Sequence, residues 1–210
     1  MRGRLEYLTT IRNTPLETIS EDAYLRLREG AEVIERDGHG EKVLSLPDGS
    51  YLKLFRRKRL ISSAAWYPYA QRFADNAAAL QKRGIPCPKV VALYRVQQIK
   101  RDIVVYRPLP GRTLREIVQA GAGDVVLRAH LDDFIFQLHE AGVYFRSLHL
   151  GNIVLTPDSR LGLIDIADLR TQNKPLRSGL RQRNLQHLNR HPGDKAWLDS
   201  TAALRSESGR

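Results

Sequence analysis

Two hard oxygen donors stand thirteen residues apart in the C-terminal half of this 210-residue chain. Asn152 closes the stretch YFRSLHLGN, and Asp165 stands next to last in the mostly apolar run LGLIDI. Magnesium takes oxygen ligands and usually draws only one or two from the protein, keeping the rest of its shell for water and phosphate. An amide oxygen and a carboxylate presented by the end of a buried strand meet that need. Asp168, three residues further on, is a carboxylate placed to support the pair or to act as an alternate ligand. The plainer reading makes Asn152 a turn residue and Asp165 a strand-end cap.

The same stretch carries Ser147 and His149. A serine hydroxyl has no useful basicity near pH 7. A neutral imidazole at His149 could accept a proton, and a protonated one could neutralise phosphate. Against that stands a histidine that merely braces its loop through backbone hydrogen bonds. Upstream, Lys53 lies between Leu52 and Leu54 in SYLKLF, so strand alternation sends it to the face opposite both. Gly38 and Gly40 in ERDGHGEK form a lone G-x-G, a weak signal for phosphate cover whose plainer reading is a hairpin turn. Cys87 is the only cysteine, which excludes an internal disulfide and a multi-cysteine metal site.

These residues need a scaffold. SEDAYLRLREG predicts a short helix capped by Ser20. The runs AEVIER, KVLSL and SYLKLF are joined by turn-forming segments and predict an antiparallel meander. Ala70, Phe73, Ala77 and Leu80 share one face of a helix over 66–83 that ends at Gly84. KVVALYRV and DIVVYR add a second strand pair. RPLPGR then breaks the pattern, placing a sheet-rich unit at 1–106, a hinge at 107–112 and a mostly helical unit at 113–205. Thr113 and Glu116 form a capping box, and a longer helix runs through Leu127, Leu131, Phe134 and Leu138. The short strands IVLT and LGLIDI follow. Next comes an amphipathic helix over 178–190 with Leu180, Leu185 and Leu188 inward, a helix around Trp197 and a frayed tail at 206–210.

The composition is that of a globular chain, with 42% hydrophobic and 27% charged residues. No apolar run is long enough to span a bilayer, and MRGRLEYLTT lacks the apolar core of a secretory signal, so a cytoplasmic location is expected. The net charge is +11, and residues 170–210 hold nine basic side chains against three acidic ones. Such charge suits a polyanion. Nucleic acid is disfavoured, because neither an aromatic platform nor a helix-turn-helix signature is present.

Taken in order, SYLKLF, GIPCPKV, IVVYRPLPGRTL, HLGN and LGLIDI resemble the protein-kinase-like fold. The segments PLPGRTL, GVYFR, LHLGNI and RQRNLQHLNR resemble more closely the bacterial lipopolysaccharide kinase family, which phosphorylates heptose or 3-deoxy-manno-octulosonic acid of the lipopolysaccharide inner core. The resemblance implies an α+β, bilobal fold: a small lobe with a five-stranded antiparallel sheet and one main helix, and a reduced, mostly helical second lobe. It implies ATP and magnesium as cofactors, with Lys53 gripping the α and β phosphates, Gly38 and Gly40 over them, and Asn152 and Asp165 on the metal. The loop Phe145, Arg146, Ser147 stands where the family has His-Arg-Asp, so Ser147 replaces the catalytic aspartate, with Arg146 and His149 beside it. Asn76 falls where a helical glutamate would pair with Lys53. Arg177, Arg181 and Arg183 are expected to meet core phosphates or anionic headgroups. The partners implied are the lipopolysaccharide core or another anionic glycolipid, with peripheral contact at the inner face of the inner membrane. The function implied is phosphorylation of a core sugar hydroxyl. The alternative is a catalytically impaired pseudokinase with a nucleotide-binding or scaffolding role.

Overall fold

A computed structural model describes residues 14–57 and 67–208. A mixed six-stranded sheet and a set of helices are joined by one hydrophobic core that reaches from the sheet into the helices. The chain begins with β1 (Leu16–Ile19) and α1 (Glu21–Leu27), whose Ser20 cap accepts from Ala23 N. The strands β2 (Glu32–Asp37), β3 (Gly40–Ser45) and β4 (Tyr51–Arg56) form the expected meander. Then come α2 (Tyr69–Lys82), β5 (Lys89–Val96) and β6 (Arg101–Arg107). The sheet order is β1-β5-β6-β4-β3-β2.

This differs from a five-stranded antiparallel sheet. A sixth strand, β1, lies parallel to β5 at the edge, with Leu16 opposite Leu93 and Ile19 opposite Val96. It is only four residues long and part-exposed on both faces, so it shows none of the alternation that marks a half-buried strand. Its pairing supplies main-chain hydrogen bonds from a partner about 77 residues away in sequence.

The two faces of the sheet bury different sets. Leu52 and Leu54 of β4 join Tyr24 of α1, Leu44, Ile103 and Val105 in a small core on one face. Phe73, Ala77 and Leu80 of α2 pack on the other face, where Phe73 meets Tyr106 at 5.3 Å between ring centres. Burying Phe73, which is 1% exposed, contributes roughly 1.5–3 kcal/mol. Alternation thus sends Lys53 to the α2 side of the sheet, between Val43 and Val104 of the neighbouring strands.

Past β6, Pro108 to Gly111 lead into β7 (Arg112–Thr113) and α3 (Leu114–Gln119), which starts with the Thr113–Glu116 capping box. Gly111 has φ +133°, and a Cβ there would lie 2.2 Å from Leu155 O, so no other residue fits without a shift. The longer helix α4 (Val125–Glu140) is capped by Asp124. It is followed by β8 (Val143–Phe145), a 3₁₀ turn at Leu150–Asn152, β9 (Ile153–Leu155) and β10 (Leu161–Leu163). A second 3₁₀ turn at Ile166–Asp168 leads to β11 (Leu169–Thr171), which pairs with β8. The chain closes with α5 (Ser178–Leu188) and α6 (Pro192–Ser208).

Two local expectations change. Leu185 of α5 is exposed, and the fully buried position is Asn184, whose amide donates to Phe145 O at 2.6 Å and whose oxygen meets His139 Nε2 at 3.2 Å. A buried amide that satisfies a strand carbonyl and an imidazole takes the place a leucine would fill by periodicity alone. The helix α6 runs to Ser208, three residues into the segment read as frayed, because nothing before Gly209 breaks it. No helix among the described residues is long and apolar enough to cross a membrane.

Candidate functional site

Lys53 and Asp165 meet across the two parts of the chain. Lys53 Nζ donates to Asp165 Oδ1 at 2.6 Å. The lysine side chain is 7% exposed and the aspartate 44%, so one partner is buried and the other faces open space. Asp165 lies beyond the end of β10, which stops at Leu163 rather than reaching the aspartate. Its backbone is left-handed, with φ 52° and ψ 46°. Only a few residue types other than glycine adopt that region readily, and Asp is one of them. The turn aims the carboxylate back at β4 and not along the strand.

Asn152 is brought alongside by β9 and β10. Ile153 pairs with Leu163, and Ile164 N donates to Asn152 O at 3.0 Å. The Asn152 amide Nδ2 donates to Ser147 O at 2.9 Å, which leaves Oδ1 as the side chain's accepting atom. Lys53, Asn152 and Asp165 line one cleft of about 410 Å³, walled by Ile34, Val43, Tyr106, Leu109 and Val154 among others. That size suits a single small ligand. An amide oxygen and a carboxylate with one oxygen not engaged by Lys53 form the donor set that magnesium prefers, so the residues present fit that ion. Among the described residues there is no cluster of three His, Cys, Asp or Glu side chains that would hold a transition metal.

Asn76 does not face the lysine. Its Nδ2 donates to Ile166 O at 2.7 Å and to Leu169 O at 3.0 Å, stapling the turn after Asp165 to α2. A glutamate there would set an acceptor against two carbonyl oxygens, so the amide is the residue this packing requires. Lys53 therefore takes its negative partner from Asp165 instead of from the helix.

The turn glycines are placed elsewhere. Gly38 and His39 make the tight β2–β3 turn, in which Asp37 Oδ1 accepts from His39 N at 2.8 Å and Arg101 donates to His39 O. The cleft is lined by Ile34 and Glu35 of β2 and by Val43 of β3, whereas Gly38 and Gly40 are outside its lining. The positive φ of Gly40, 110°, serves the hairpin.

In the loop, Ser147 Oγ donates to Asp168 Oδ2 at 2.6 Å. His149 has its Nδ1 3.4 Å from Arg115, which grips the buried Asp194 with two hydrogen bonds at 3.0 and 2.8 Å. Asp194 also accepts from Leu150 N at 3.1 Å, so α6 anchors the loop backbone. Burial first, and the Arg115 charge second, hold the His149 imidazole below its ordinary pKa. The shift favours the neutral imidazole, whose Nδ1 faces the Arg115 guanidinium. The Cys87 thiol is pushed up to about 12 by burial and is no nucleophile.

The tail arginines separate. Arg181 is committed to Glu140 at 2.7 Å and to Leu176 O. Arg177 precedes α5 and is exposed. Arg183 instead joins Arg146 and Arg170 around a second cleft of about 450 Å³, and none of these three forms an ion pair with another described residue. Asp194 and Arg115 were not legible as partners in the sequence, because they act through a contact between distant segments. Asp168, expected to support the metal pair or to act as an alternate ligand, lies outside the lining of that cleft and engages Ser147 instead.

No family model matches the sequence, and no curated protein matches it. Among solved structures, the chain is similar to the bifunctional kinase-methyltransferase WbdD, with TM-score 0.48 and 17% identity over 79% of this chain and 44% of that one. Monomeric WbdD gives 0.44 at 16% identity, over 78% and 43%. WbdD with the kinase inhibitor LY294002 gives 0.43 at 16% identity, over 78% and 42%. The chain spans less than half the length of these structures.

Proposed function

We propose that the chain is a phosphotransferase of the protein-kinase-like fold, which moves a phosphoryl group from ATP to a sugar hydroxyl of an anionic glycolipid. The lipopolysaccharide inner core is the acceptor that the sequence resemblance favours. The observation that carries this reading is the convergence of Lys53, Asp165 and Asn152 in one cleft, the first two 2.6 Å apart. In this reading residues 1–106 form the small lobe, 107–112 the hinge and 113–205 the second lobe.

Asn152 Oδ1 and Asp165 would hold magnesium, which when bound neutralises phosphate charge. Lys53 binds phosphate oxygens with an ammonium already fixed by Asp165. The apolar walls Ile34, Val43, Leu109 and Val154 take the base. Arg146, Arg170 and Arg183 face the acceptor's anionic groups, with Arg177 adding exposed charge and Arg181 held back by Glu140. Basic side chains near an anionic membrane surface contribute about 1 kcal/mol each, which favours peripheral contact at its inner face.

A second reading, a pseudokinase, is favoured by one feature: α2 offers Asn76 to backbone carbonyls and no carboxylate to Lys53. Calorimetry with Mg·ATP tests the nucleotide site. Binding that is lost in Lys53→Ala and Asp165→Ala supports the site, and turnover of a purified inner-core acceptor then separates enzyme from pseudokinase. A wild type that binds no nucleotide sinks the enzyme reading and leaves only a scaffolding pseudokinase.

A further inference from the structure

The loop lacks a carboxylate at residue 147, yet one stands next to it. Ser147 Oγ donates to Asp168 Oδ2 at 2.6 Å, a length typical of a hydroxyl bound to an ionised carboxylate. The other oxygen, Asp168 Oδ1, is buried and has no hydrogen-bond partner among the described residues. A buried oxygen left without a donor is costly and calls for an explanation. Asp168 is held where it is by the turn that follows Asp165 and by the Asn76 amide, which donates to Ile166 O and Leu169 O on either side of it. The carboxylate is thus fixed to the same turn that carries Asp165, two residues beyond Ile166. Ser147 in turn lies on the loop that Asn152 ties down through Ser147 O.

We propose that Asp168 is the proton acceptor of the transfer, reached through Ser147. This rests on the phosphotransferase reading above. The acceptor hydroxyl docks on Ser147 Oγ. As its oxygen bonds to the γ-phosphorus and the bond to the ADP oxygen breaks, the acceptor's proton passes to Ser147 Oγ. Ser147's own proton passes to Asp168 Oδ2. The phosphorylated product and ADP leave, the negative charge of the carboxylate is taken up by the products, and Asp168 is left protonated until solvent removes the proton. Serine thereby stays a neutral relay, and the basicity it lacks comes from a residue 21 positions away.

The test uses ATP with water as acceptor, measured as phosphate release, alongside calorimetric binding of a non-hydrolysable ATP analogue with magnesium. Asp168→Asn keeps an oxygen for Ser147 and removes the basicity. It should lower kcat by about 10²-fold or more, within the range of general-base contributions, with KM for ATP and analogue affinity unchanged within twofold. Ser147→Ala should lower kcat similarly. Ser147→Asp combined with Asp168→Ser reverses the positions of hydroxyl and carboxylate and should return the rate to within tenfold of wild type. Asp168→Asn at wild-type rate overturns the proposal, as does a folded, nucleotide-binding swap variant no faster than Asp168→Asn. A wild type that binds the analogue but releases no phosphate also overturns it. Failure to bind the analogue at all is the failure of the phosphotransferase reading instead.

Discussion

Replacing Asp165 by asparagine should destabilise the fold far more than replacing Lys53 by methionine, although the two residues form one ion pair. The reason is the unequal burial of the partners: the lysine side chain is 7% exposed and the aspartate 44%. Breaking a fully buried pair costs about 3–5 kcal/mol, because the surviving charge is stranded. Asp165→Asn strands an ammonium, but water in the cleft can reach it in part, so the cost falls to about 2–3 kcal/mol. Asparagine tolerates the left-handed backbone at this position, so strain does not confuse the comparison. For a chain of 210 residues, at about 2–4 °C per kcal/mol, the melting point should drop by roughly 5–10 °C. Lys53→Met keeps the aliphatic stem and leaves Asp165 half in water, so its cost should stay under about 1 kcal/mol. The double variant should be more stable than Asp165→Asn alone, since the stranded charge is gone. Thermal melts of the four proteins decide it. Equal losses in the two single variants, or a double variant as unstable as the sum of both, would refute the reasoning.

Acid should weaken the fold through its buried histidines. Burial, opposed by the hydrogen bond with Asn184, holds His139 below its ordinary pKa, and His149 and His187 shift the same way. The unfolded chain therefore takes up protons first, so the stability is fully present above the ordinary imidazole value of about 6.5 and is lost as pH falls through the lower folded values. Melting points between pH 7.5 and 5 should decline, and His139→Gln should flatten the decline in part; an unchanged slope would speak against it. Gly111→Ala should cost upwards of about 2 kcal/mol, given φ +133° and a 2.2 Å approach to Leu155 O. A melting point within 2 °C of wild type, by the scaling for a chain of this size, would show that the connector relaxes.

Local chemistry made much of the scaffold readable. Turn residues marked the meander, the Thr113–Glu116 box marked α3, and alternation sent Lys53 away from Leu52 and Leu54. What escaped was long-range. The edge strand Leu16–Ile19 has no pattern of its own and exists through its pairing with β5. Leu185 fitted the helical period, but the buried demand was for hydrogen bonds, which Asn184 meets. Asn152 and Asp165 could be singled out as oxygen donors. The Ser147–Asp168 bond and the Arg115–Asp194 grip join residues 21 and 79 positions apart, and no spacing rule foretells such contacts. Gly38 and Gly40 left two readings open, and the turn is the one the hairpin displays: a tight turn needs glycine whether or not phosphate lies near.

The most direct measurement is titration of the protein with ATP in the presence and absence of magnesium, by calorimetry. Binding should require magnesium, show one site per chain, and vanish in Lys53→Ala and in Asp165→Ala. Nucleotide binding that survives both substitutions, or a wild type that gives no heat at millimolar ATP, would contradict the assignment of this cleft.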